Sequence, residues 1–267
     1  EKKGDDKKPK EDLVVFFQPN RSQKRLLANL WHRNVILKAR QLGFTTLICI
    51  LWLDTALFSE NMRCGIIAQD REAAEVIFRD KVKFAYENLP EHLKKGMPLA
   101  RDSASELLFA HNNSSIRVAT SMRSGTIHRL HISEFGKICA KYPDKAVEVV
   151  TGSIPAVPKN GILIIESTAE GREGEFYDIT MRAKSAKDTA KELTVRDYRF
   201  HFFAWWDANE YEMPADSVKL TDKDNLYFER IESQIGQPIS PEKRAWYIAT
   251  RDADFSGSEE KMWQEYP

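Results

Sequence analysis

The sequence has no excess of charge of either sign, few cysteines and no long apolar run. Its 267 residues include 40 basic and 40 acidic side chains, which argues against a protein coated in positive charge for nucleic-acid binding. The three cysteines, Cys49, Cys64 and Cys139, lie in or beside apolar stretches and predict reduced core residues of a cytosolic protein, not disulfides. The longest apolar run, residues 47–53, is far too short to span a bilayer.

What the sequence does contain is an alternation of apolar strand candidates with helix candidates. The strand candidates are VILKA (35–39), RCGIIA (63–68), RLHIS (129–133) and GILIIEST (161–168), with a hairpin over 105–121. The helix candidates between them are 45–58, 71–89 and 144–153. This order predicts an α/β fold with a mostly parallel sheet flanked by helices, a layout typical of nucleotide-binding proteins.

The amino-acid composition and its pattern divide the chain into three parts. Residues 1–12 are a mixed-charge tail that we expect to be flexible. We expect the α/β core over 13–206 and a small helical lid or linker subdomain over 207–267. Two capped helices are predicted in that subdomain, one starting at Thr221 with Asp224 in the capping-box place, the other at Ser240 with Pro241 in its first turn.

The stretch VILKARQLGFTTL, residues 35–47, has the outline of a phosphate-binding loop, but Phe44 stands where lysine is expected after Gly43. Backbone amides at the start of a helix and a cation are what such a loop needs. Lys38 and Arg40, at the front of the loop, can supply the cation, and Thr45 takes the place of the hydroxyl that ligates magnesium. From this segment alone, a strand-turn-helix with incidental basic residues is an equally good interpretation.

Two further strand ends carry residues suited to the same chemistry. RLHISEF places Glu134 after an apolar strand, where it can act as the general base toward water, while Ser133 replaces the expected aspartate. In ILIIESTAEG, the small residues Ser167, Thr168 and Ala169 could sense the terminal phosphate and move the neighbouring domain.

Upstream of the first strand, the amide of Gln23 suits the edge of adenine. Its alternative interpretation is an exposed glutamine on a helix, which would be the better one without the other motifs.

Taken together, these motifs resemble the large terminase subunit of tailed bacteriophages, the DNA-packaging motor ATPase. The resemblance runs from about Pro19 to the C-terminus and is carried by the order of SQKRLL, LKARQLGFTT, LHISEF, ESTAEG, GEFYDI, HFFAWWDANEY and QEYP. It implies a RecA-like fold of the ASCE P-loop NTPase class with a small lid. It also implies Lys38 as the phosphate lysine, ATP as substrate and Mg²⁺ held by Thr45 and, through water, by Ser133. The residues assigned to the nucleotide are Gln23, Lys38, Arg40, Gln41, Gly43, Thr45 and Thr46.

The resemblance also implies partners. Motors of this family act on double-stranded DNA as rings, most often pentamers, with the portal protein and the small terminase subunit. They work at the portal vertex of the procapsid in the host cytoplasm and do not stay in the mature virion. In such rings an arginine of one subunit reaches the ATP of the next, and Arg123 matches that position, with Arg101 and Arg129 as other candidates. A surface arginine on a loop is the alternative for Arg123.

Departures from the family pattern set further expectations. Because Phe44 and Ser133 replace the usual lysine and aspartate, we expect weak Mg-ATP binding and low turnover by a lone subunit, rising upon assembly. No nuclease activity is expected, because the acidic residues near the C-terminus (Asp252, Asp254, Glu259 and Glu260) fit a solvated helix end or loop. A helicase-like nucleic-acid-dependent ATPase and a catalytically weak docking module remain as alternatives.

Two tempting features favour a plain structural interpretation. His128 and His131, with Cys139 nearby, would point to opposite faces of a strand and have no fourth partner for zinc. The pair Trp205-Trp206 could stack on bases, but an interior strand and a subdomain hinge account for it more simply.

Overall fold

The computed structural model describes residues 16–123 and 125–267, so the predicted tail at 1–12 lies outside the described residues. Eight strands form one sheet. They are β1 (Arg33–Lys38), β2 (Arg63–Ile67), β3 (Leu99–Asp102), β4 (Glu106–Phe109), β5 (Ser115–Ala119), β6 (Arg129–Ser133), β7 (Ile162–Ser167) and β8 (Arg199–Phe203). Their order is β3-β4-β5-β2-β6-β7-β1-β8. The six strands from β5 to β8 in this order are parallel, and β4 and β3 extend the sheet in antiparallel fashion. The predicted RecA-like α/β class is confirmed.

Helices connect the strands and follow the sheet. They are α1 (Arg21–Leu27), α2 (Phe44–Phe58), α3 (Arg71–Ile77), α4 (Phe84–Glu87), α5 (Glu91–Gly96), α6 (Phe135–Lys141), α7 (Pro143–Glu148), α8 (Gly174–Asp188), α9 (Asp222–Ile235), α10 (Pro241–Asp254) and α11 (Glu259–Glu265). Two π-helical segments, Phe78–Lys83 and Val149–Ser153, continue α3 and α7, so the helix predicted over 71–89 is one helical run of mixed type. Short 3₁₀ turns occur at Ile154–Ala156, Trp205–Asp207 and Ala215–Ser217.

Successive residues of the central strands point to opposite faces of the sheet, and each face has its own core. One core joins Ile36 and Ile164 to α2 and to the C-terminal helices, where Trp205 and Tyr247 are buried. The other core joins Val35 and Ile165 to the helices α6 and α8. Since both faces are covered, the middle parts of the central strands are mostly apolar on both sides and their sequences contain short continuous hydrophobic runs.

The C-terminal helices begin where the sequence predicts. Thr221 caps α9 in a capping box with Asp224, and the Ser240 side chain accepts a hydrogen bond from the first turn of α10, where Pro241 opens the helix. Their side chains share a core with the sheet, and the division into a core over 13–206 and a lid over 207–267 stays a prediction. Within the described ranges, no helix is both long and apolar enough to cross a bilayer.

One expectation about this region was wrong. The strand before Trp205 is β8, which forms an edge of the sheet and not an interior strand. Trp205 itself is fully buried against the C-terminal helices, because the chain leaves the edge strand and turns under them.

Candidate functional site

The carboxyl ends of the central parallel strands come together at one edge of the sheet. In the pairing of β6 with β7, Ser133 lies directly beside Glu166, and in the pairing of β7 with β1, Ser167 lies beside Leu37. Lys38 therefore ends β1 next to the polar ends of β7 and β6. In open α/β sheets this edge is where ligands bind.

The loop between β1 and α2 is shaped by two residues with left-handed backbone. Gln41 has φ 55° and Gly43 has φ 70°, and Gly43 is the N-cap of α2. A Cβ atom on Gly43 would lie 2.8 Å from the Gln23 side-chain nitrogen, so glycine is required both for the backbone angle and for space. The loop therefore presents the first backbone amides of a 15-residue helix toward the strand ends.

Gln23, in α1, supports this loop through hydrogen bonds to the loop backbone. Its side-chain nitrogen donates to the carbonyl oxygens of Gly43 at 2.8 Å and Leu42 at 3.4 Å, and its oxygen accepts from the backbone N–H of Asn20. The amide is buried, and its donor and acceptor are both used inside the protein. Contact with adenine stays a prediction, and it would require these bonds to be exchanged.

Phe44, the residue that replaces the expected lysine, has a structural task. Its ring is fully buried and packs on Phe203 of β8 with centroids 4.6 Å apart. It therefore anchors the start of α2 in the core, a position in which an ammonium group would be costly.

Lys38 lies between two carboxylates. Its Nζ is 3.1 Å from Glu134 Oε1 and 3.1 Å from Glu166 Oε2, and its side chain is only 6% exposed. Burial acts to lower the pKa of Lys38, but the negative charges of Glu166 and Glu134 outweigh burial and hold that pKa above its ordinary value. The amine is therefore a permanent cation at the front of the loop.

Glu134 follows β6 in a left-handed conformation, with φ 52° and ψ 47°, as the N-cap of α6. A non-glycine residue held in this region costs roughly 1–3 kcal/mol, and such strain is concentrated at functional sites. The carboxylate borders a cleft of about 260 Å³, which is also lined by Lys38, Arg40, Gln41 and Lys137. The cleft gives Glu134 access to solvent, as a base acting on water needs.

Glu166 is the part of the site that the sequence interpretation missed. Its fully buried Oε1 accepts hydrogen bonds from Ser133 Oγ at 2.8 Å and Thr45 Oγ1 at 3.1 Å, and lies 3.4 Å from His131 Nε2. Burial alone would raise the pKa of Glu166, but the Lys38 charge, with His131 and Ser133, lowers it below its ordinary range. A signal was available: glutamate is the one charged residue in the apolar strand ILIIES.

The residues assigned to coupling, Ser167, Thr168 and Ala169, follow Glu166 directly in the sequence. Ser167 and Thr168 are buried, and among the described residues neither hydroxyl has a hydrogen-bond partner. The backbone N–H of Ala169 donates to the carbonyl of Gln264 near the end of α11 at 3.0 Å, and Gln264 Nε2 donates to Glu170. Their role as sensors of the phosphate stays a prediction.

The same helix also reaches the loop. The backbone N–H of Arg40 donates to the Glu265 carbonyl at 3.0 Å, and the Arg40 guanidinium lies 3.5 Å from the Glu265 carboxylate. The Tyr211 hydroxyl donates to the Arg40 carbonyl. Arg40 is therefore held against the C-terminal part of the chain. Thr46 lies half-buried in the first turn of α2, next to Thr45.

Arg123 lies apart from this edge. It lines a groove with Arg63, Ser115 and His128, which mark the starts of β2, β5 and β6, and its Nε is 2.6 Å from the Glu148 carboxylate. Its side chain is 60% exposed, so the finger role in a neighbouring subunit stays a prediction.

The two other finger candidates are also engaged with their own chain. Arg101 pairs with Glu106 on the edge hairpin, and Arg129 donates to the His128 carbonyl.

The histidines do not gather around a metal. The Nδ1 of His128 accepts from the Arg63 backbone N–H at 3.0 Å, whereas His131 is buried beside Glu166. In the part of the chain that the structure describes, no three His, Cys, Asp or Glu side chains form a group that could hold a metal ion.

Comparison with solved structures identifies the fold. The large terminase ATPase domain of Thermus phage P74-26 superposes with a TM-score of 0.60 at 18% identity, over 94% of this chain and 93% of that one. This chain has the fold of a large terminase ATPase domain. The large terminase of bacteriophage HK97 superposes with a TM-score of 0.54 at 17% identity over 88% of this chain, which spans 46% of that protein. No family model and no curated protein matches the sequence. The terminase resemblance is thus confirmed as a likeness of fold.

Proposed function

We propose that this chain is the ATP-hydrolysing motor domain of a phage large terminase, which moves double-stranded DNA into a procapsid. One observation carries the enzymatic part of the proposal. Lys38 and Glu134 line a cleft at the carboxyl edge of a RecA-like sheet, and Thr45, at the start of α2, is linked to Lys38 through the Glu166 carboxylate. A cation, a hydroxyl and a carboxylate beside a helix N-terminus are the groups that phosphoryl transfer to water requires. The DNA part rests on the terminase resemblance and fold.

The residues divide the work by their chemistry. The amides at the start of α2 and the Lys38 ammonium bind the phosphates and neutralise charge that develops on the terminal one. The Glu134 carboxylate, which borders the cleft, takes the proton of the attacking water.

The metal that such reactions need would be held at Thr45. One hydroxyl, one carboxylate, waters and phosphate oxygens are a set of ligands that suits Mg²⁺. The Glu166 carboxylate, which is ion-paired with Lys38, accepts a hydrogen bond from Thr45 Oγ1 at 3.1 Å, so a carboxylate lies beside the hydroxyl that would hold the metal. When bound, Mg²⁺ supplies a Lewis acid for the phosphate oxygens.

The pairing of Lys38 with Glu134 supports low turnover by a lone subunit. The amine holds Glu134 Oε1 at 3.1 Å, and we propose that this ion pair keeps the carboxylate from turning fully toward the attacking water. We propose that assembly into a ring on the portal, with an arginine such as Arg123 from the neighbour, releases this restraint. Phosphate release should therefore be slow for the chain alone and faster when it is assembled on portal-bearing procapsids.

Two variants test the enzymatic proposal on the assembled protein. Lys38→Ala should abolish nucleotide binding, and Glu134→Gln should keep it, while both lower ATP turnover at least about 100-fold. Turnover is measured as phosphate release, and binding with a fluorescent ATP analogue. Lys184→Ala, which removes an exposed lysine paired with Asp188 on α8, is the matched control. If neither site variant alters turnover, the chain is a docking module and the proposal fails.

Nucleic acid separates a packaging motor from a helicase-like ATPase. A packaging motor should take up double-stranded DNA into procapsids at the expense of ATP, and Glu134→Gln should stop this uptake. Separation of DNA strands, with ATP turnover stimulated by single-stranded DNA only, would instead favour the helicase-like hypothesis. Protection of the DNA from added nuclease measures the uptake.

A further inference from the structure

Glu166 is a buried carboxylate that the phosphate-loop pattern does not include. The Glu166 side chain is 0% exposed, because β7 is covered on both faces of the sheet. Burying an ionised carboxylate costs several kcal/mol unless it is paired and hydrogen-bonded. Lys38 supplies the pair, and Thr45 and Ser133 supply the hydrogen bonds. All three partners belong to the proposed nucleotide site, so the site is built around this carboxylate.

Ser133 ends β6, the strand beside that of Glu166, and stands where the family pattern has an aspartate. In the register of β6 with β7, Ser133 and Glu166 are direct neighbours. The Ser133 hydroxyl donates to the Glu166 carboxylate at 2.8 Å. The same Glu166 oxygen accepts from Thr45, the residue in the place of the magnesium hydroxyl, at 3.1 Å. A carboxylate is therefore present beside Thr45, but it comes from β7.

We propose that Glu166 supplies the carboxylate that Ser133 lacks, and that Glu166 and Thr45 together hold the divalent cation of the bound nucleotide. This inference rests on the proposed function. Ser133 then orients Glu166 and has no separate role toward the cation. The simpler alternative is that Glu166 only offsets the charge of Lys38.

The two roles predict different results when the carboxylate is removed or moved. Glu166→Gln removes it, and the double variant Ser133→Asp/Glu166→Gln returns it from the neighbouring strand. Calorimetric titration with ADP, with and without Mn²⁺ as the probe metal, measures how much the metal tightens nucleotide binding. This ratio does not depend on hydrolysis, and a merely structural role would not change it.

We expect Mn²⁺ to tighten ADP binding by the unaltered protein, and Glu166→Gln to reduce that tightening at least about tenfold. The double variant should recover most of it. Asp224→Asn is the matched control, because Asp224 is also a buried carboxylate, paired with Arg251 within the C-terminal helices. Glu166→Asp keeps the charge on a shorter side chain; it should give a partial loss, and it replaces Glu166→Gln if that variant does not fold.

The outcomes separate the two proposals. If Glu166→Gln keeps the full effect of Mn²⁺ while Lys38→Ala and Glu134→Gln lose turnover, the inference about Glu166 is wrong and the proposed function stands. If the unaltered protein binds no ADP under any condition, the proposed function itself fails. Recovery by the double variant, with no loss in Asp224→Asn, supports the inference.

Discussion

The strand-end site (Lys38, Thr45, Ser133, Glu134 and Glu166) and the aromatic layer of the C-terminal helices differ in the kind of side chain that they bury. In the strand-end site, charges are buried in contact with one another. The aromatic layer consists of rings in mutual contact: Trp205, Tyr211, Tyr227, Phe228, Trp246, Tyr247 and Tyr266. One region is arranged for chemistry and the other for packing.

The difference shows where this chain stabilises its fold. A buried ion pair contributes little net stability, because desolvation offsets the attraction, and the left-handed Glu134 adds strain. Buried aromatic rings contribute large apolar areas without the desolvation of a full charge. We infer that the aromatic layer stabilises the domain and that the strand-end site does not.

The largest effect on stability is expected from Trp205, whose ring is fully buried with the Tyr247 centroid 4.5 Å away. Trp205→Ala should lower the free energy of unfolding by about 3–5 kcal/mol, because it leaves a cavity in the layer. Denaturant unfolding measures this, and Phe58→Ala, at an exposed phenylalanine outside the layer, is the control. Nucleotide affinity of the folded variant should be unchanged; an affinity that falls together with stability would show that the two regions are not separable.

A smaller effect is expected on acidification, at β8, the strand that joins the two regions. Burial, with Arg199, Lys187 and Arg25 nearby, lowers the pKa of His201 from 6.5 to about 4. The unfolded chain therefore binds more protons between these values, and stability is lost as the pH falls from 6.5 toward 4, by about 2–3 kcal/mol.

The His201 prediction is checked by unfolding curves across that pH range. His201→Gln keeps a donor for Asn34 Oδ1, 3.0 Å from the ring, and should flatten the pH dependence. His92→Gln, at an exposed histidine, should leave it as it is. Equal curves for both variants would contradict the assignment of this acid-dependent loss of stability to His201.

The smallest effect concerns a hydrogen bond inside the aromatic layer, from the Tyr227 hydroxyl to the Tyr247 hydroxyl at 2.7 Å. Tyr227→Phe removes the donor but keeps the ring, so the free energy of unfolding should fall by only about 1 kcal/mol. Denaturant unfolding beside Tyr142→Phe, at a more exposed tyrosine, provides the measurement. A loss as large as that of Trp205→Ala would mean that polar contacts, and not packing, hold the layer.

Local patterns were enough to predict much of the fold. The apolar runs at 35–39, 63–68 and 161–168 form central strands, and the caps at Thr221 and Ser240 start helices, because burial on both faces and capping are decided within a few residues. The place of β8 beside β1 could not be predicted in this way. Strand order depends on contacts between residues far apart in the sequence, and the aromatic run 199–206 fits an edge or an interior strand equally well.

The site could be predicted only in part, for the same reason. Lys38, Thr45 and Glu134 were predicted because each lies in a recognisable motif at a strand end or helix start; the structure brings all three to one edge, and their roles stay predictions. Glu166 was missed, because its partners come from the ends of β1 and β6 and the start of α2. A charged residue in an otherwise apolar strand predicts a buried partner, but does not say which one.

The last turn of α11 holds two separate parts of the strand-end edge. Through their backbone carbonyls, Glu265 accepts from Arg40 in the loop, and Gln264 accepts from Ala169 after β7. A displacement of this helix must therefore carry both segments with it or break both bonds. Because the two carbonyls belong to consecutive residues, the phosphate-binding loop and the segment after β7 are tied to the same point of the chain.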